Sequence, residues 1–109
     1  MSMSTIGVPL EGFGVYCRAA AAEGAVLLKN EGHMFPLKKE EMVSVFGRCQ
    51  FETYRSGTGS GGAVNVPYAV NIYDGMRESG SFTLNEELAD IYRAWLKDHP
   101  FDNGGGGWA

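Results

Sequence analysis

Between Ser56 and Gly62 the chain reads Ser-Gly-Thr-Gly-Ser-Gly-Gly, a run with no side-chain bulk to cover its main chain. Such a run takes positive φ readily and lets another group reach the backbone amides. Arg48 and Arg55 flank it, with Tyr54 beside the second. A guanidinium close to open amides binds a sugar hydroxyl, a carboxylate or a phosphate. The competing reading pairs both arginines with Glu52 or its neighbours as surface ion pairs.

Two phosphate chemistries are tested by spacing. Gly57, Gly59 and Gly62 fit G-x-G-x-x-G. A dinucleotide site, however, needs that motif directly after a strand, with an acid about 20 residues further on. The preceding strand candidate stops at Phe46, and Asp74 comes too early. No lysine follows the glycines, which removes the P-loop pattern. Ser60 has Thr58, not glycine, two places before it, so it is not a G-x-S-x-G nucleophile.

The other reactive residues are scattered. His33 and His99 lie far apart, and no Cys or carboxylate cluster has metal-ligand spacing. Neither a metal nor a cofactor is expected. Glu40-Glu41 and Glu86-Glu87 read as solvated surface. The residues by themselves spell no catalytic constellation.

Composition narrows the class. The 109 residues are 44% hydrophobic and 20% charged, which is globular rather than disordered. That length suits one domain at most. A net charge of −4, with the basic residues dispersed, excludes a basic nucleic-acid face. No apolar run nears the roughly 20 residues of a membrane span. Met1 to Pro9 lacks the basic start and apolar run of a secretory leader. Cys17 and Cys49 are too few for a disulfide framework and read as reduced thiols. A cytoplasmic protein is expected.

The elements that must position the glycine run follow from periodicity and punctuation. Residues 1–12 read as an irregular lead-in. Phe13 to Glu23, rich in alanine, predicts a helix with Gly24 just past its end. Ala25-Val26-Leu27-Leu28 is either a buried strand or the last turns of that helix. Pro36 pins a loop in which Phe35 and Leu37 pack down. Met42 to Phe46 predicts a strand. Pro67 to Ser79 predicts a helix with Pro67 at its first position, Tyr68, Ile72 and Met76 on one face, and Gly80 as its stop. Phe82 to Leu84 predicts a short strand. Asn85 caps a last helix carrying Glu86 and Glu87 at its positive end. Its stripe of Leu88, Ile91, Tyr92, Trp95 and Leu96 reads as core, and Pro100 prevents continuation.

Strands alternating with helices give an α/β class: a short mixed or mostly parallel sheet with flanking helices. Two or three strands are too few for a complete sheet, so an incomplete α/β domain is expected. The expected organisation is a lead-in over 1–12, a partial domain over 13–103, and a glycine-rich tail or truncated continuation over 104–109.

Three segments, in order, carry a resemblance. Ala20 to Gly32 with Phe35-Pro36-Leu37 resembles the A-x-E-x-x-V-L-L-K-N-E … L-P-L opening of the second domain of glycoside hydrolase family 3. Val43-Ser44-Val45-Phe46-Gly47-Arg48 is similar to that domain's V-A-V-x-G strand. Ser56 to Gly62, with Val64 to Tyr68, looks like its G-x-G-S-G-x-V loop, and Asn71 to Met76 like the helix after it, which usually ends in D-G-L.

The resemblance implies that the incomplete domain is a partial α/β sandwich, from a circularly permuted member in which the sandwich precedes a TIM-like barrel. It implies a retaining enzyme, often a β-glucosidase, acting on terminal β-linked sugars through two carboxyls about 5–5.5 Å apart. The barrel that would hold the nucleophile has no counterpart here, and no Glu follows Glu87 in the region of the acid/base. No catalytic residue is carried over. Arg48, Ser60 and Gly61 are carried over as substrate contacts. The expected partners are a carbohydrate and the parent protein's barrel, and the isolated chain is expected to be inactive. The alternative is a non-catalytic sugar- or anion-binding module that uses the 56–62 run.

Overall fold

The computed structural model describes residues 8–53 and 66–101, and the chain divides into two compact units, Met1–Phe35 and Pro36–Ala109. The 56–62 run, with Ser60 and Gly61, lies outside the described residues, as do Arg55 and the 104–109 tail.

The first unit is built on α1 (Phe13–Gly24). Gly12, at φ 77°, turns the chain into the helix, and Ala25 returns it to extended backbone. No residue of α1 is buried; its alanines supply intrinsic propensity where packing does not. Ala25 to Leu28 is neither strand nor helix, contrary to both expectations. A strand requires a partner for its N–H and C=O groups. Leu28 instead stands 92% exposed. Beyond it the Asn30 side chain grips Phe35 twice. Its Nδ2 donates to the Phe35 carbonyl at 2.8 Å, and its Oδ1 accepts from the Phe35 amide at 3.0 Å. A 3₁₀ turn at Glu31–His33 fits inside that grip, with Gly32 at φ 70° and His33 at φ 53°. Phe35 is exposed, so it does not pack down as expected.

The second unit is a strand–helix–strand–helix. β1 (Met42–Val43) and β2 (Thr83–Leu84) pair in parallel, Met42 opposite Thr83 and Val43 opposite Leu84. The Thr83 amide donates to Glu41 O at 3.0 Å and the Asn85 amide to Val43 O at 2.8 Å. Parallel neighbours require a long crossover, which here contains α2 (Ile72–Ser79). The last element is α3 (Glu86–Asp98). This is the partial α/β architecture that the sequence implied, with shorter strands.

The strand expected over Met42–Phe46 ends at Val43, because only that stretch has a partner among the described residues. The helix expected from Pro67 begins instead at Ile72. Asn71 is its cap, accepting the Asp74 amide at 2.7 Å, and Gly80 at φ 65° is its stop. The face counted from Tyr68 is therefore displaced. Tyr73 is the buried side chain of α2, while Tyr68 and Ile72 are exposed.

The core is small: Tyr73, Leu84 and Ala89, with Val43, Val45, Phe51, Met76 and Phe82 against it. Ala89, outside the expected stripe of α3, is its buried residue. Asn85 joins three parts. Its Oδ1 caps α3 at the Leu88 amide, 3.2 Å, and its Nδ2 donates to Ser44 Oγ at 3.0 Å, just past β1. Asn85→Ala is expected to cost about 1–2 kcal/mol, as other lost caps do. Asn85→Asp keeps the cap and lets the Ser44 hydroxyl turn to donate to the new carboxylate oxygen, so urea unfolding should place its loss below that of Asn85→Ala.

Candidate functional site

A concavity lies between the turn that follows β1 and one side of α3. Phe46, Arg48, Leu88, Ile91, Tyr92 and Trp95 line a groove of about 430 Å³. That volume is within the range of small-molecule sites. The stripe expected to be core thus forms a wall: Leu88 and Tyr92 are half-buried, whereas Ile91 is 61% and Trp95 46% exposed. Helical spacing identified the face; only the packing partners decide whether it is covered.

The turn that presents Arg48 is held from two sides. Gly47, at φ 99° and ψ 144°, reverses the chain after Phe46, and its amide donates to the Tyr92 hydroxyl at 2.9 Å. Gln50 is buried, and its Nε2 donates to the carbonyls of Val45 (2.9 Å) and Gly47 (2.8 Å). Its Oε1 is buried with no hydrogen-bond partner among the described residues. Nothing in the sequence singles Gln50 out, because its partners are backbone carbonyls.

Arg48 does what the competing reading foresaw, and more. Its Nε and Nη2 both donate to one oxygen of Glu52, at 2.8 and 2.7 Å. Nη2 also donates to the His99 carbonyl at 2.8 Å, and the guanidinium lies 5.5 Å from the centre of the Trp95 ring. Trp95 in turn stacks on His99, centroids 4.1 Å apart and planes 6° from parallel. The His99 Nδ1 lies 2.9 Å from the Trp95 carbonyl, which makes it the donor there. Arg48 therefore ties the β1 turn to the end of α3. Its Nη1 makes no hydrogen bond among the described residues, and Arg48 is the one charged residue on a mainly apolar groove lining.

The flanks of the glycine-rich segment are also fixed. Glu52 is held by Arg48, and Thr53 Oγ1 donates to the Cys49 carbonyl at 2.6 Å. The same Oγ1 accepts the Ile72 amide at 3.0 Å. Cys17 and Cys49 are free and exposed.

Among the described residues the groove lining holds one cation and no carboxylate, imidazole or thiol. It can bind, but these residues supply no pair of carboxyls for a double displacement. Glu86 and Asp90 are not on the groove lining; Arg93 meets them at 3.7 and 2.9 Å. Among the described residues no group of His, Cys, Asp or Glu could hold a metal ion, and no helix is long and apolar enough to cross a membrane.

Residues 25–97 match the model of the glycosyl hydrolase family 3 C-terminal domain. A β-glucosidase of Ruminococcus albus is 49% identical over 85 residues, which are 78% of this chain and 9% of that protein. β-Glucosidase A of Butyrivibrio fibrisolvens is 35% identical over 80 residues, 72% of this chain and 10% of that one. The solved structure of a β-glucosidase from Paenibacillus barengoltzii matches with a TM-score of 0.84 and 64% identity, covering 100% of this chain and 12% of that one. The chain thus spans about a tenth of the length of these relatives.

Proposed function

Because the chain belongs to the glycosyl hydrolase family 3 C-terminal domain family, we propose that it is the opening part of the α/β sandwich of a β-glucosidase-like enzyme. The parent protein is sandwich-first and retaining, and it removes terminal β-linked sugars. The observation that carries this reading is the 64% identity to a β-glucosidase over the whole chain. The chain alone is inactive, since a double displacement needs a nucleophile and an acid/base, both from elsewhere in the parent. The 56–62 run, through Ser60 and Gly61, borders the sugar, and Arg48 offers Nη1 to a hydroxyl.

Surface chemistry supports a piece that is covered by the rest of a larger protein. Leu10, Val15, Tyr16, Val26 and Leu28 are each more than 70% exposed, against three buried apolar side chains among the described residues. A free-standing domain rarely leaves that balance. Free Cys17 and Cys49 suit a reducing, cytoplasmic setting.

The test is a graft. This chain replaces the matching segment of the Paenibacillus β-glucosidase, and an aryl β-glucoside is supplied. Turnover by the graft, with none by the isolated chain, is the expected result. A folded graft without activity would sink the enzyme reading and leave the binding-module alternative. Turnover by the isolated chain would sink the claim that it is inactive.

A further inference from the structure

We infer, resting on the reading of this chain as one segment of a longer β-glucosidase-like enzyme, that residues 26–29 form a β-strand whose partner strand lies in the remainder of that parent.

The segment is held extended and left bare. Residues 25–30 contain no helix, turn or bend, and none of them has a positive φ. Upstream, the Ala25 amide closes α1 on the Ala22 carbonyl at 3.3 Å, and Ala25 itself lies at φ −78° and ψ 130°. Downstream, the two bonds between Asn30 and Phe35 tie off the next turn. Between these anchors no amide or carbonyl of residues 26–29 has a hydrogen-bond partner among the described residues. Val26, Leu27 and Leu28 are all exposed. Anchors at both ends keep the chain extended before any partner arrives, so pairing orders little that is not already ordered.

The unpaired backbone selects the occupant. Backbone groups that become buried need hydrogen-bond partners. An apolar ligand or a lipid would cover the side chains and leave four amides and four carbonyls in a row unsatisfied. A helix has closed its own backbone bonds. Another extended chain covers the side chains and supplies N–H and C=O groups in step. The side chains agree. In extended backbone Val26 and Leu28 fall on one side, Leu27 and Lys29 on the other. Branched apolar residues on both sides fit a strand covered on both faces. Lys29 is paired in solvent with Glu31 at 3.4 Å, so the covered stretch ends there. The partner is therefore a short apolar strand.

Two comparisons place that strand in the parent rather than in a foreign protein. The family model begins at residue 25, so the apolar run is part of the domain itself. The chain covers 12% of the Paenibacillus β-glucosidase, which leaves most of such a protein to supply the strand.

Hydrogen exchange reads the pairing directly. In the 109-residue chain, the amides of residues 26–29 should exchange within about tenfold of an unstructured peptide. In the grafted β-glucosidase, at least alternate amides among them should slow by about a hundredfold or more. Leu27→Pro and Leu28→Pro each remove one N–H. Adjacent N–H groups point to opposite edges of a strand, so at least one of the two variants breaks a ladder bond. That variant should lower the Tm of the graft by about 5 °C or more, while neither moves that of the isolated chain by more than about 1 °C. Free exchange of residues 26–29 in a folded graft overturns the inference whatever the activity, as do two proline variants that both keep the graft's Tm. Protection in the isolated chain overturns it as well: with concentration dependence the partner is a second copy, and without it the partner lies within the 109 residues. Protected amides in an inactive graft uphold the strand and count against the enzyme reading instead. A graft that does not fold removes the segment reading and the inference with it.

Discussion

Tyr73→Ala abolishes the cooperative unfolding transition of the chain. Tyr73 is 1% exposed, the largest fully buried side chain among the described residues, and the centre of the core with Leu84 and Ala89. Its ring meets Phe51 at 4.9 Å between centroids, tilted by 41°, and Arg93 caps both rings at 4.9 and 5.0 Å. Truncating a buried aromatic side chain costs about 3–5 kcal/mol. A core this small has little beyond that to lose, since whole domains hold only roughly 5–15 kcal/mol. Thermal scans by circular dichroism should show no sigmoidal transition for Tyr73→Ala.

Tyr73→Phe has the opposite expectation. The Tyr73 hydroxyl is buried with no hydrogen-bond partner among the described residues, so removing it costs nothing in lost bonds. Burial, and then the nearby Glu86 carboxylate, push the Tyr73 hydroxyl above the usual tyrosine value. A phenol whose folded pKa lies above its unfolded one favours folding below the unfolded pKa. That contribution is lost as pH rises from about 10 through the raised value. Urea midpoints should therefore fall for wild type in this alkaline window by more than for Tyr73→Phe. Equal slopes would show that another group titrates there.

Arg48→Ala is the second substitution with a large expected effect. It removes both bonds to Glu52, the bond to the His99 carbonyl and the cation over Trp95. The Arg48 and Glu52 side chains are 32% and 33% exposed, so solvent screens part of the pair. A loss of about 1.5–3 kcal/mol is expected, the scale of hydrogen bonds to charged groups. Arg48→Lys should recover only part of it. An ammonium does not reproduce the planar fork that meets Glu52 and His99 while lying over an indole. Chemical denaturation measures this directly. In the grafted enzyme, a rise in KM for Arg48→Lys beyond the stability loss would mark the contact with sugar as well. Identical KM values would leave Arg48 a structural tie.

The helices were legible because their signals are local. Asn85 with Glu86 and Glu87 caps α3, and the alanine run predicts α1, without reference to anything distant. The start of α2 was misplaced because Pro67 suits a first helical position, while Asn71, four residues on, provides the bond that begins the helix. Strand length was overestimated because apolar β-branched residues mark a strand only where a neighbour pairs with them.

The order of the apolar and glycine-rich segments determined the family, since three matching motifs in sequence leave few other origins. The Arg48–Glu52 pair stood as one of two readings of those residues, and the 3₁₀ turn at Arg48–Gln50 is what brings the two side chains together. The tertiary structure alone decided which face of α2 is buried, why Trp95 walls a groove instead of filling a core, and that Arg48 reaches the His99 carbonyl. It alone placed Thr53 against Ile72, nineteen positions away. Those outcomes depend on long-range partners, and a linear pattern records a residue's chemistry and spacing but not what comes to rest beside it.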